Sequence, residues 1–165
     1  MQNLSPEALI HAYQTFSDPF RSVILGTVSA TGQPQASYAP FVKDADGDLY
    51  IFVSGLSTHT QNLAATGKVS ALFVEDEAQT PQIFARKRLS YDCTVTLVAR
   101  DSEHWQTLVQ QFADRFGNII EVMKGLADFR IFQLSPHAGR FVLGFGAAYD
   151  VDPNDLSQLI HRNSA

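Results

Sequence analysis

Apolar and polar residues alternate through residues 89–100. One set of alternate positions is apolar or aromatic and consists of Leu89, Tyr91, Cys93, Val95, Leu97 and Ala99. The other set is polar as far as Thr96. Because successive side chains of a strand point to opposite faces of a sheet, this period of two predicts one long strand with a buried face. It is the best defined element of the sequence.

Shorter β-rich runs and a few helices accompany this strand. Tight turns at 30–33 and 44–48 separate further strands, which are predicted over residues 21–29, 35–42, 49–54 and 69–74. Capping residues and apolar spacing predict helices after Ser5, over 58–65, from Ser102 to Phe116, over 119–126 and from Asp152 onward. Several short strands with tight turns and few helices favour a β-barrel over a doubly wound sheet.

Residues 128–150 combine a predicted hairpin with a glycine-rich end. Two β-rich runs, 130–134 and 141–143, flank a Pro- and Gly-containing break at 135–139, which predicts a turn. The small residues of 144–148 let the backbone approach a large flat group, with Phe145 and Tyr149 as aromatic walls. A glycine kink at a barrel corner is the alternative. A dinucleotide-binding fingerprint fits poorly, because Tyr149 stands at the position of its third glycine.

Length and composition describe a single domain over residues 1–165. A net charge of −5 argues against nucleic-acid partners, which require a basic face. The single cysteine, Cys93, is expected to be a buried reduced thiol, which favours the cytoplasm. We expect no signal peptide and no membrane-spanning segment, since no apolar stretch approaches about 20 residues.

One basic run stands out in this acidic chain, Arg86-Lys87-Arg88. Strand alternation would send Arg86 and Arg88 to one face and Lys87 to the other. The two arginines are therefore the better candidate pair for anchoring the anionic groups of a cofactor. A solvated strand end is the alternative interpretation. The histidines and Cys93 show no spacing typical of a zinc site.

Several segments together resemble the FMN-binding split barrels of the pyridoxamine 5′-phosphate oxidase-like superfamily. Residues 21–28 with 32–35 resemble the opening hairpin, and Ser54, Thr58 and His59 with Asn62-Leu63 and 69–73 resemble the second block. The haem-utilisation branch of that superfamily is indicated by residues 37–42, 84–89, 115–117, 128–129 and 141–149. The resemblance covers nearly the whole chain.

This resemblance implies a fold and a set of site residues. The implied fold is a six-stranded antiparallel split β-barrel with flanking helices, in a two-fold homodimer whose cofactor cleft lies at the interface. The implied cofactor-binding residues are Arg21, Ser22, Ser54, Thr58, His59, Arg86, Arg88, Phe145 and Tyr149. Flavin-binding relatives usually carry Arg or Lys where this chain has Thr58 or His59. That lost charge is worth roughly 1.5–3 kcal/mol, which favours haem over FMN.

The resemblance also implies an iron ligand and a catalytic carboxylate. Members of the haem branch carry an iron-binding histidine near the C terminus, and His161 is the histidine nearest that end. A helix-end histidine without a partner is the alternative. Asp128 could hydrogen-bond the ligand imidazole or relay protons, or it could cap a helix-to-strand turn. Three functions follow: oxidative haem degradation with an external electron donor, an FMN-dependent oxidoreductase, and a non-catalytic carrier of haem or flavin.

Overall fold

A computed structural model of the protein describes residues 4–162. In that range the helices are α1 (Pro6–Thr15), α2 (Thr58–Thr66), α3 (Glu103–Phe116) and α4 (Ile119–Gly125). The strands are β1 (Ser22–Val28), β2 (Pro34–Lys43), β3 (Leu49–Ser54), β4 (Lys68–Val74), β5 (Arg88–Leu97), β6 (Phe129–Gly144), β7 (Ala147–Val151) and β8 (Leu159–His161). No helix in residues 4–162 is both long and apolar enough to cross a membrane.

Six of these strands close into an antiparallel barrel. The order along the sheet is β3-β2-β1-β4-β5-β6, and a second pairing of β6 with β3 closes the ring. The ladders between β2 and β3 and between β1 and β4 each cover only three residue pairs, so these are the two shortest joins of the ring. The predicted six-stranded split barrel with flanking helices is confirmed.

The apolar residues are divided between two cores. Alternate residues of the strands fill the barrel, among them Leu25, Phe41, Ile51, Phe73, Leu89, Cys93, Phe132 and Phe141. The opposite face of β3 and β6 packs under α3 and α4 through Tyr50, Phe52, Ile131, Trp105 and Phe112. Because β3 is covered on both faces, all of its first five residues are buried.

The predicted turn at residues 135–139 is wrong, because β6 runs through it as one strand of 16 residues. Asp92 lies opposite Ala138 and Cys93 opposite Pro136, so His137 is the extra residue of a β-bulge. A bulge tolerates a proline, which cannot donate to the ladder. Gly139 serves a close approach rather than a turn, since a Cβ there would lie 2.7 Å from the carbonyl oxygen of Ser90. The hairpin tip is instead Phe145-Gly146, where Gly146 has φ +73°.

Two other predictions need correction near strand ends. The helix predicted from Asp152 is a turn followed by β8, which pairs with β7. Asp152 accepts a hydrogen bond from the Asn154 amide in that turn, and the free edge of β7 supplies the backbone partners for residues 159–161. The alternation of β5 also fails at its end, where Leu97 is 54% exposed and Val98 is buried under α3.

Candidate functional site

A carboxylate and a hydroxyl meet where β3 ends beside the start of β6. Ser54 is the last residue of β3 and lies opposite Phe129, the first residue of β6. Its Oγ donates a 2.6 Å hydrogen bond to Oδ2 of Asp128, and the Leu56 amide donates to the same Oγ at 3.2 Å. No other hydrogen bond to the Asp128 carboxylate occurs among residues 4–162. We call Ser54, Gly55, Leu56 and Asp128 the Asp128 cluster.

A backbone hydrogen bond also holds the Asp128 cluster together. Gly55 donates its amide to the carbonyl oxygen of Asp128 at 2.8 Å, which extends the β3–β6 ladder past the end of β3. A Cβ at position 55 would lie 2.9 Å from that oxygen, so only glycine fits here. Leu56 is strongly exposed beside the cluster. The result is a half-buried carboxylate next to an exposed apolar side chain.

The two residues predicted to replace a flavin phosphate anchor open helix α2. Thr58 is exposed, whereas His59 is partly buried. The Nε2 atom of His59 is buried and has no hydrogen-bond partner in the described part of the chain. Burial lowers the pKa of His59, because desolvation penalises the charged imidazolium. This end of α2 therefore carries a neutral imidazole rather than a permanent positive charge.

The predicted basic anchor is divided between two environments. Arg86 lies before β5 begins, so strand alternation does not govern it. Its guanidinium bonds the Glu75 carbonyl at 2.5 Å and the Glu77 carboxylate at 3.0 Å. Lys87 pairs with Glu75 at 3.4 Å, on the same acidic segment.

Arg88 differs from Arg86. It is exposed and donates to the carbonyl oxygen of Arg86 at 3.0 Å. No carboxylate lies within ion-pair distance of it in residues 4–162. Arg88 is thus the arginine of the basic run whose guanidinium is available to bind an anion. The sequence alone could not distinguish Arg88 from Arg86 in this respect. The sequence did contain a signal for this division, because the acidic residues Glu75 and Glu77 lie near the basic run and can pair with it.

Aromatic and imidazole side chains gather around the β6–β7 tip. Phe145 is 73% exposed at the tip itself. Tyr149 lies opposite Phe141 on β6 and opposite His161 on β8, and the Tyr149 and His161 rings meet edge to face at 5.1 Å. Arg88 lies opposite Val142, one position along β6 from Phe141, so its side chain leaves the other face of the sheet from Tyr149 and His161. We call Phe145, Tyr149 and His161 the hairpin cluster.

His161 does not end a helix, so that alternative is wrong. It belongs to β8, and its exposed imidazole lies against Tyr149. The neighbouring Arg162 approaches the Asp150 carboxylate at 3.5 Å.

The remaining predicted residues lie elsewhere. Arg21 precedes β1 and its guanidinium stacks on the Phe116 ring at 5.4 Å. Ser22 begins β1 opposite Pro40.

The Asp128 cluster and the hairpin cluster lie at opposite ends of β6. Asp128 immediately precedes Phe129, whereas Arg88 lies opposite Val142 and Phe145 follows Gly144. The 13 residue steps between Phe129 and Val142 correspond to roughly 40 Å along a strand. One copy of the chain therefore does not bring the two clusters into a single site.

The comparisons with known proteins agree with this fold. The family profile described as pyridoxamine 5′-phosphate oxidase matches residues 9–143. A protein described as heme oxygenase HutZ, from Vibrio cholerae, is 42% identical over 146 residues, which cover 88% of this chain and 82% of that protein.

Solved structures extend the comparison. The crystal structure of HutZ, there described as a heme storage protein from Vibrio cholerae, has a TM-score of 0.72 at 38% identity and covers 81% of this chain and 91% of that one. Campylobacter jejuni ChuZ has a TM-score of 0.84 at 31% identity over 99% of this chain. The match spans 65% of the ChuZ chain, slightly less than two thirds of it. The profile match and the HutZ identity show that this chain belongs to the pyridoxamine 5′-phosphate oxidase family of split-barrel proteins.

Proposed function

We propose that this protein binds haem and degrades it oxidatively, with dioxygen as the oxidant and an external electron donor, releasing the iron. The observation that carries the proposal is the Asp128 carboxylate. Ser54 fixes one of its oxygens, and the other has no hydrogen-bond partner within residues 4–162. A held carboxylate with a free oxygen can orient an imidazole or pass on a proton. The 42% identity to a protein described as heme oxygenase HutZ supplies the chemistry to test.

The exposed side chains fit an anionic, flat iron porphyrin. Phe145 offers an aromatic face, and Arg88 offers a guanidinium that no carboxylate of residues 4–162 neutralises. His161 offers an exposed imidazole, the type of ligand that haem iron takes. In this proposal Phe145 and Tyr149 contact the ring, His161 is the iron ligand, and Arg88, from the other face of the sheet, binds a propionate at the edge of the ring. Bound haem supplies the redox-active iron and the porphyrin ring that is opened.

We further propose that the site forms between two copies of the chain. The two clusters are separated by most of β6 in one copy, so a second copy must bring its hairpin cluster to the Asp128 cluster of the first. An apolar row on the outside of the barrel supports such an interface. Tyr38 lies opposite Ile24, and Ile24 lies opposite Leu72. Tyr38 is 67% and Ile24 40% exposed, so neighbouring apolar side chains of β1 and β2 face outward together.

Mixed dimers test this arrangement. Asp128→Asn and His161→Ala homodimers should each be slow, but unfolding and refolding them together should restore activity. Random pairing gives half heterodimers, each with one intact site of two, so about a quarter of wild-type activity returns. No recovery, although mass spectrometry finds the heterodimer, would refute a site shared between copies. A monomer in light scattering would refute the dimer itself.

The function itself is tested by cofactor binding and turnover. Purified protein is titrated with haem and, separately, with FMN, and the haem complex is then given ascorbate under air. We expect a Soret band that saturates near one haem per protomer, followed by its loss and by release of iron to a ferrous chelator. A haem complex that survives ascorbate would instead support a carrier, as the description of HutZ as a heme storage protein suggests.

An FMN-dependent oxidoreductase is the second candidate, supported by the family profile. The start of α2 argues against it, because Thr58 and the neutral His59 offer an FMN phosphate no permanent charge. Stoichiometric FMN with no Soret band on haem addition would reverse the ranking.

We also propose a cytoplasmic location. In support, Cys93 lies in the barrel core, where burial raises the pKa of its thiol to about 12 and keeps it unreactive.

A further inference from the structure

We infer that Ser54 is a positioning residue that selects the orientation of the Asp128 carboxylate, rather than a residue that contacts the cofactor. This inference rests on the role proposed above for Asp128. It concerns how one of two chemically equivalent oxygens is held while the other stays available.

The hydrogen-bond inventory of a serine hydroxyl fixes the direction of the contact. A hydroxyl has one hydrogen to donate and can accept at its lone pairs. The Leu56 amide occupies one lone pair of the Ser54 Oγ at 3.2 Å. An ionised carboxylate can only accept, so the single hydroxyl hydrogen points to Oδ2 of Asp128 at 2.6 Å. The Leu56 amide therefore fixes the orientation of the Ser54 hydroxyl, and this hydroxyl in turn fixes the orientation of the Asp128 carboxylate.

The backbone prevents this pair from drifting apart. The 2.8 Å bond from the Gly55 amide to the Asp128 carbonyl fixes the main chain of Asp128 next to that of Ser54. A Cβ at position 55 would meet the Asp128 carbonyl at 2.9 Å. With the backbone fixed, the side chain of Asp128 retains rotation about χ1 and χ2, and the Ser54 hydroxyl stops that rotation. Without the Ser54 hydroxyl, the Asp128 side chain can turn toward the exposed side of the Asp128 cluster and adopt other rotamers.

The first measurement uses the haem-free protein and does not depend on turnover. Three-bond couplings between Hα and Hβ of Asp128 report whether χ1 occupies one rotamer or several. We expect a single rotamer in the wild type and in Ser54→Thr, which keeps the hydroxyl. Averaged couplings are expected in Ser54→Ala. The matched control is Ser57→Ala, because Ser57 precedes α2 and its side chain makes no capping hydrogen bond.

The second measurement is haem breakdown with ascorbate. Ser54→Ala should lower the rate about tenfold, the change that about 1.4 kcal/mol makes in an equilibrium between rotamers. Haem affinity should stay at the wild-type value, since Ser54 does not touch the cofactor. Ser54→Thr should restore the rate, and Ser57→Ala should not change it. In an Asp128→Ala background, removing the Ser54 hydroxyl should cost nothing further, because the residue it positions is gone.

The outcomes separate this inference from the proposed function. Wild-type couplings in Ser54→Ala, or an added loss of rate in the Asp128→Ala background, would overturn the positioning role. Weakened haem binding in Ser54→Ala would also overturn it and return Ser54 to the cofactor contacts. If the wild type does not degrade haem at all, the proposed function fails. The couplings of Asp128 then decide the positioning role by themselves.

Discussion

Replacing Gly139 by alanine should destabilise the protein, because β5 and β6 approach each other closely at this residue. A Cβ at position 139 would lie 2.7 Å from the Ser90 carbonyl oxygen, 2.8 Å from Cδ1 of Tyr91 and 3.0 Å from Cγ2 of Val151. The first of these atoms belongs to the backbone of β5, so the two strands must separate. Overpacking of this kind costs about 1–3 kcal/mol, and each ladder hydrogen bond that is stretched adds about 0.5–1.5 kcal/mol.

One effect works in the opposite direction. Alanine reduces the conformational freedom of the unfolded chain, which stabilises by about 0.4–1 kcal/mol where the backbone accepts it. Gly139 has no left-handed φ, so this gain applies, but it is smaller than the steric cost. We expect Gly139→Ala to lower the free energy of unfolding by about 2–3 kcal/mol, a large part of the 5–15 kcal/mol typical of a domain.

Urea unfolding followed by circular dichroism measures the difference, at one protein concentration because assembly adds to apparent stability. Gly125→Ala is the matched control. No atom lies within 4 Å of a Cβ at position 125, and its φ is not left-handed. That variant should gain about 0.5–1 kcal/mol. If Gly139→Ala is as stable as Gly125→Ala, residue 139 does not lie in a continuous strand, and the turn expected from the sequence would be correct.

The remaining predictions concern the proposed site. Asp128→Asn should keep haem affinity but slow its breakdown with ascorbate, since the amide keeps the shape and loses the charge; an unchanged rate would return Asp128 to a structural role. His161→Ala should convert a six-coordinate haem spectrum into a weaker, water-ligated one, and an unchanged spectrum would move the ligand to another histidine. Arg88→Ala should weaken haem binding about tenfold, whereas Arg86→Ala should not, because Arg86 already bonds Glu77; equal losses, measured by haem titration, would contradict that division. The lowered pKa of His59 makes the unfolded chain bind a proton that the folded chain does not, so stability should fall as the pH drops below about 6.5 and level off below the folded pKa. His59→Gln should flatten that part of the curve of unfolding free energy against pH, and an unaltered slope would show that another group is responsible.

The sequence predicted an element correctly where a pattern of neighbouring residues determines that element. The alternation of residues 89–100 predicted β5, which ends at Leu97, because a period of two matches a strand with one buried face. The helix after Ser5 was predicted from its capping chemistry, and the Ser5 hydroxyl does accept a hydrogen bond from the Ala8 amide at 3.2 Å. The family resemblance added the arrangement of the strands, which no single segment contains.

Local sequence misled where a distant partner outweighed a local preference. Pro136 and Gly139 predict a turn by themselves, yet β5 supplies a partner strand along nearly the whole of that segment. Pro136 has no backbone N–H to donate to the ladder. Because the β-bulge at His137 interrupts the ladder next to this proline, pairing with β5 continues on both sides of the bulge. The residues after Asp152 were assigned to a helix by their spacing, but the open edge of β7 offered them hydrogen bonds that a short isolated helix lacks.

For the candidate site, the sequence by itself determined which side chains are available. The basic run named Arg88, and the family resemblance named Ser54, Asp128 and His161, the last of them at the expected end of a helix. Only the tertiary structure decided their relations. It joined Ser54 to Asp128 across 74 positions of sequence, and it occupied Arg86 with an acidic segment while leaving Arg88 exposed. It also placed Asp128 beside the first residue of β6 and His161 near the other end of that strand, through its pairing with Tyr149. A hydrogen bond depends on a separation of about 3 Å between two atoms, and strand register, rather than residue type, sets that separation.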